Sequence, residues 1–297
     1  MRLKFKNTGS TVNFATWLKG FKDIASSIII EVDPTSEEFI AKSFPESKFI
    51  VKYSKISFEE SGLELVSMTD NSDNPIDWQN DTIYSANRVK IAIRENFNKF
   101  IDVINMFSET EHEMDVNFNV NKNVMYSNSR SSEQEFQAET VVLKSLSLTM
   151  SIKTAPLNEH FQKLDDNTFL NVVCKVNSPT SFEVSSDILA NLNKISSIYS
   201  IDKSRDTIKF YSKVVDGNRA LYAYDETNGS YDYLLGYFVS GEDMDTSIHI
   251  YKENFINATK ALVGEKINIT MDTAGSSRLL INTEDNCKII IASVKNN

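Results

Sequence analysis

Two short blocks recur in this chain at one offset. Tyr53-Ser54-Lys55 returns as Tyr211-Ser212-Lys213, and Arg94-Glu95-Asn96-Phe97 returns as Lys252-Glu253-Asn254-Phe255, each displaced by 158 positions. A shared tripeptide means little alone, but two matches in one register, pairing a strand-like run with a helix start, imply that one structural unit occurs twice. The 297 residues agree, since a domain takes roughly 100–200 of them.

Composition narrows the class. The longest apolar runs, Ile28–Ile30 and Ile289–Ala292, fall far short of the ~20 residues of a spanning helix, so no membrane is expected. Met1-Arg2-Leu3-Lys4 is basic without an apolar stretch behind it, which reads as no secretory signal and a cytoplasmic protein. Cys174 and Cys287 lack a CxxC partner, and His112, His160 and His249 lie in separate segments. We expect reduced packing cysteines, no metal and no cofactor. The net charge of −10 argues against a generally basic nucleic-acid binder, so any DNA contact must come from a local patch.

In the first half, Val12–Ala25 is an amphipathic helix with Phe14, Trp17, Leu18, Phe21, Ile24 and Ala25 on one face and Lys19 opposite. Strand-like runs follow at Ser27–Val32, Glu38–Ser43, Lys48–Ile56 and Gly62–Met68. A polar loop, Thr69–Gln79, precedes a strand over Thr82–Ala92. A second helix opens at Arg94 and runs to Phe107, its core face Phe97, Phe100, Ile101, Ile104 and Phe107, with Lys99 pointing away. Strands at Met114–Val120 and Ala138–Ile152 flank an exposed hairpin tip, Asn121–Gln137.

The second half repeats the order. A strand at Thr168–Val176 precedes a helix at Ser185–Ile198, with Ile188, Leu189, Leu192 and Ile195 inward and Lys194 outward. Strands at Thr207–Val215 and Arg219–Asp225 turn at Asp216-Gly217, a strong hairpin dipeptide. Tyr231–Val239 and Ser247–Tyr251 lead into the helix Lys252–Val263, which packs Phe255, Ala258 and Leu262 and projects Lys260. Three strands, Lys266–Met271, Ser277–Thr283 and Cys287–Val294, complete it. The fold class is therefore α+β: two similar domains, 1–155 and 167–297, joined by a Pro156-containing connector over 156–166, each with two amphipathic helices on antiparallel sheet.

This two-helix, many-strand repeat, with its early amphipathic helix, strands like Lys48–Ile56, the helix Arg94–Phe107 leading to Met114–Val120 and a proline in the connector, resembles the two-domain DNA polymerase sliding clamps. That family comprises the proliferating-cell nuclear antigens and the processivity clamps of large phages. The resemblance covers nearly the whole chain, with extra loops at Thr69–Gln79 and Asn121–Gln137 as departures. It implies a ring of six domains, closed by three copies head to tail, with edge strands pairing between subunits and helices lining the lumen. It implies sequence-independent contact with duplex DNA through Lys19, Lys22, Lys99, Lys194 and Lys260, and through Arg94 and Lys252 at equivalent repeat positions. It further implies that the DNA polymerase and the clamp loader dock by a short peptide in an apolar pocket between the domains, bordered here by Pro156, Leu157, Phe161, Ile291 and Val294.

Two other classes stay open. An enzyme would need a nucleophile elbow, phosphate loop or metal cluster, and none is present; Asp165-Asp166 and Asp243/Asp245 read as solvated loop charges. A duplicated β-rich phage structural or interaction protein would share the strands, but it has no need for two helices per repeat with outward lysines.

Overall fold

The structure, a computed structural model, describes all residues except 6–9, 25–26, 44–49, 71–72, 81–87, 95–96, 108–111, 120–122, 125–132, 135, 157–173, 178, 203–204, 226–230, 263–265, 273–276, 285–286 and 295–297. The expected connector over 157–166 and most of the expected strand Thr168–Val176 lie outside the described residues, as does the start of the run Thr82–Ala92. The chain divides into two units, Met1–Phe44 with Ser54–Asp165, and Pro45–Tyr53 with Asp166–Asn297.

In the first unit β1 (Arg2–Phe5) leads to α1 (Ser10–Lys19), β2 (Ser27–Asp33), β3 (Glu38–Ser43) and the second half of β4 (Ile50–Ser57). Then come a one-turn helix α2 (Phe58–Ser61), β5 (Leu63–Ser67), β6 (Val89–Arg94) and α3 (Phe97–Met106). β7 (His112–Asn119), the small pair β8 (Asn123–Val124) and β9 (Glu133–Gln134), β10 (Phe136–Ser145) and β11 (Thr149–Lys153) complete it. β1 pairs antiparallel with β5 and β7, β7 with β10, and β10 with β11, while β2 pairs with β3 and β6.

The helices form because their apolar residues fall on one side. Phe97, Phe100, Ile101 and Ile104 of α3 are all buried, and α1 turns Phe14, Ala15 and Leu18 into the same core. α1 stops at Lys19, short of the expected Ala25, because Gly20 opens a run of tight turns through which Phe21 and Ile24 still reach the core. Between the runs Lys48–Ile56 and Gly62–Met68 the chain forms the capped helix α2. Ser57 and Glu60 form a reciprocal capping box, and Gly62 closes it at φ 71°, which a glycine adopts without strain.

Every residue of β2 is buried, on both faces of the sheet. Ile28, Ile30 and Val32 enter the core, whereas Glu31 on the other face meets Lys42 of β3 at 2.9 Å and Arg88 at 3.0 Å. Arg88 also binds Asp33, whose carboxylate accepts the N–H groups of Thr35 and Ser36 and so fixes the β2–β3 turn.

The second unit contains β12 (Pro179–Val184), α4 (Ser186–Ile198), β13 (Thr207–Val215), β14 (Asn218–Tyr224), β15 (Asp232–Gly241) and β16 (Ser247–Tyr251). α5 (Lys252–Thr259), β17 (Ile267–Asp272), β18 (Arg278–Thr283) and β19 (Lys288–Ala292) follow. β12 pairs with β15 and β17, β13 with β14 and β16, β17 with β18, and β18 with β19. The far edge of β19 takes Ile50–Tyr53, the first half of β4, which is why that segment belongs to this unit and not, as expected, to the first. Asp216 at φ 52° and Gly217 at φ 80° make the tight β13–β14 turn that the dipeptide predicts.

The two ladders correspond in their central pairings. β1 and β12 each pair with the strand after the second helix, and β2 and β13 each pair with a hairpin partner and with the strand before that helix. The offset of 158 therefore holds for the second block, where Phe97 of α3 and Phe255 of α5 are equivalent buried residues. It fails for the first. Tyr53 lies on β4 and Tyr211 on β13, whose counterpart is β2, so the shared tripeptide is a coincidence of composition.

Two glycines of β15, Gly236 and Gly241, are required by close approach to β12. A Cβ at Gly236 of β15 would fall on the carbonyl of Glu183 in β12. Gly236→Ala is expected to cost about 3 kcal/mol, the upper end for overpacking. A thermal melt unchanged from wild type would refute this close approach.

Candidate nucleic-acid interface

α1 packs against α3 in the first unit and α4 against α5 in the second. Within the second pair, buried Asn193 donates to the Thr259 hydroxyl at 2.9 Å, and that hydroxyl also bonds the Phe255 carbonyl, ending α5 at Thr259. Each helix thus has one face fixed by its neighbour and sheet, which settles what points away.

Lys19 and Lys22 are exposed at and just beyond the end of α1, and Lys99 is exposed on α3 opposite Phe97 and Phe100. In the second unit Lys194 is exposed on α4 and Lys260 at the C-cap of α5. Arg94 is exposed too, but it ends β6 instead of opening a helix. All six present positive charge to solvent in a chain of net charge −10.

Lys252 does not join them. Its side chain is 0% exposed, with Nζ 2.5 Å from Asp225 Oδ2, 3.2 Å from the Tyr199 carbonyl and 3.9 Å from Asp206 Oδ2. Asp206 in turn accepts the N–H groups of Ile201 and Asp202, and its carbonyl accepts the Lys252 N–H. The lysine thereby ties the end of α4 to the start of α5, supplying a cation where α4's last carbonyls are negative. A signal was present in the sequence: Lys252 stands three residues before Phe255, on the buried stripe that also holds Ala258 and Thr259.

The expected docking residues separate in the same way. Ile291 is fully buried in the second unit between Leu279 and Ile50, so it is a packing residue and offers nothing to a peptide. Pro156 is exposed, Val294 is half-buried with its N–H donated to the His249 carbonyl, and Leu157 and Phe161 lie outside the described residues. Burial pushes the Cys174 thiol up to about 11, away from the thiolate a nucleophile requires.

No protein-family model matches the chain, and no curated protein matches it. Solved structures do. The PCNA2–PCNA3 complex of Sulfolobus tokodaii is similar with a TM-score of 0.59 and 14% identity over 99% of both chains. A. fulgidus PCNA, solved with the C-terminal region of FEN-1 bound, gives a TM-score of 0.59 at 10% identity over 100% of this chain and 99% of that one. The DNA polymerase sliding clamp of Bacillus subtilis gives 0.63 at 12% identity, covering 100% of this chain and 65% of its own. Two units with matching strand ladders, each backed by a helix pair, and these likenesses along the whole chain lead to one conclusion: the chain has the DNA sliding-clamp fold.

Proposed function

We propose that the chain is the subunit of a ring that encircles duplex DNA in the cytoplasm and tethers a replicative polymerase to it. The observation that carries this reading is the set Lys19, Lys22, Lys99, Lys194 and Lys260, exposed on or just beyond the four helices of eight or more residues among the described residues of an acidic chain. Phosphate contacts made by such cations are long-ranged and blind to sequence, as sliding requires.

Ring closure head to tail, with three copies, is supported by apolar residues left open on each unit. In the first, Leu146 and Leu148 are exposed at the β10–β11 turn, beside half-buried Met150 and Ile152 of β11. In the second, Ile198, Tyr199 and Ile201 are exposed at the end of α4, with Tyr199 packed on Tyr231 ahead of the exposed Leu234 of β15. The pairing of β19 with Ile50–Tyr53 inside the second unit supports the same joint, because β11 is the counterpart of β19. Partner docking by a short peptide rests on similarity to A. fulgidus PCNA with FEN-1 and to the Helicobacter pylori beta clamp bound to a DNA ligase peptide. Pro156 of the first unit and Val294 of the second are each candidates for contact with such a peptide.

Sedimentation of the purified chain should give three times its 33.7 kDa mass. Replacing Lys19, Lys99, Lys194 and Lys260 together by glutamine should leave that mass unchanged while shortening the lifetime of the protein on circular DNA. Unchanged, salt-sensitive retention in the quadruple variant would remove the helices from the DNA path.

A further inference from the structure

The outer face of the second unit's sheet carries a feature that the clamp fold does not demand. Across β16, β13, β14 and β15 the register places His249, Lys209, Tyr224 and Asp232 in one row and Ser247, Tyr211, Tyr222 and Leu234 in the next. Lys213, Ala220 and Tyr237 make a third. Tyr211 and Tyr222 stack with centroids 5.6 Å apart and planes at 23°. Lys213 Nζ stands 4.0 Å from the Tyr222 centroid and Lys209 Nζ 5.8 Å from that of Tyr211. Asp232, the one carboxylate in these rows, accepts the Tyr211 hydroxyl at 2.7 Å and lies 3.4 Å from Lys213.

The corresponding face of the first unit is closed. There β2 and β3 bury Ile29, Ile40, Glu31 and Lys42 where β13 and β14 leave tyrosines and lysines half-exposed. The aromatic face is therefore not a packing requirement of the fold.

We propose that this face binds single-stranded nucleic acid, with bases stacking on Tyr211, Tyr222 and their neighbours and phosphates held by Lys209 and Lys213. Aromatic rings on an open antiparallel sheet accept the π-face of any base, and flanking cations meet the backbone charge. A duplex keeps its bases stacked within itself and cannot use the rings. A peptide adding as a strand is disfavoured, because β13 and β14 are paired on both edges.

Fluorescence anisotropy of the full chain with a short labelled oligothymidylate tests this directly. Wild type should bind it and prefer it to a blunt duplex of equal length. Tyr211→Ala with Tyr222→Ala should weaken binding at least about fivefold, the lower end for one base deprived of its ring. Tyr211→Phe with Tyr222→Phe keeps the rings and should retain it. Lys209→Gln with Lys213→Gln should flatten the salt dependence by about 0.7 in log–log slope for each phosphate no longer neutralised. A wild type that ignores the oligonucleotide, an alanine pair that melts normally and binds as wild type does, or capture of an acidic tyrosine-rich peptide in place of the oligonucleotide would each overturn the proposal. The site lies within one unit, so a chain that failed to form rings would still bind the oligonucleotide.

Discussion

Lys252→Ala is expected to unfold the second unit at markedly lower denaturant than wild type, at a cost of about 3–5 kcal/mol. The substitution leaves Asp225, itself 0% exposed, as a buried charge without its cation, and it strips the Tyr199 carbonyl at the end of α4 of a donor. Removing both charges should be milder. Lys252→Met with Asp225→Leu removes the closest charge pair and leaves Asp206 with its backbone N–H donors, so the double variant should be more stable than the sum of the single losses implies. Chemical denaturation followed by circular dichroism reads all three proteins. A Lys252→Ala variant with a wild-type midpoint but impaired DNA retention would return this lysine to the DNA path.

The second large effect concerns assembly. Ile198 and Ile201 are 76% and 83% exposed, so changing both to aspartate should leave the melt of the subunit within about 0.5 kcal/mol of wild type. If the end of α4 is covered by a neighbouring copy, the same change buries two carboxylates in an apolar joint. Loss of about 2 kcal/mol or more at each anchor is then expected. Together these weaken the joint by roughly a thousandfold, at 1.4 kcal/mol per factor of ten. Sedimentation should report single chains at concentrations where wild type remains assembled. A double variant that keeps the wild-type mass would place the joint elsewhere.

Where the information is local, the chain could be read directly. The stripe Phe97, Phe100, Ile101, Ile104 and Phe107 specifies α3 because one period decides which residues meet, and Asp216-Gly217 specifies a turn because only a few residues adopt its backbone. Outward lysines on the helices followed from the same periodicity. Pairing across the sheet was less legible. The carboxylates that hold Lys42 and Lys252 are Glu31 and Asp225, distant in sequence and brought into reach only by strand register and helix placement. Lys252 in particular matched Arg94 in the repeat, yet Arg94 is exposed at the end of β6 while its counterpart is buried. The tripeptide at Tyr53 misled for a related reason. Tyr53 is 2% exposed beside β19, whereas Tyr211 lies on an open face, so identical residues serve opposite environments.

β4 carries a lesson for anyone who would cut this protein in two. Its first four residues close the edge of β19, and its last four belong to the preceding unit, so the sequence junction near residue 166 is not a physical seam. A second half released there would keep β19 paired with β18 but open its other edge, along Ile289, Ile290 and Ile291, the kind of bare apolar edge that recruits other chains. Any fragment meant to carry the second unit therefore has to include Ile50–Tyr53 as well as the residues after 166.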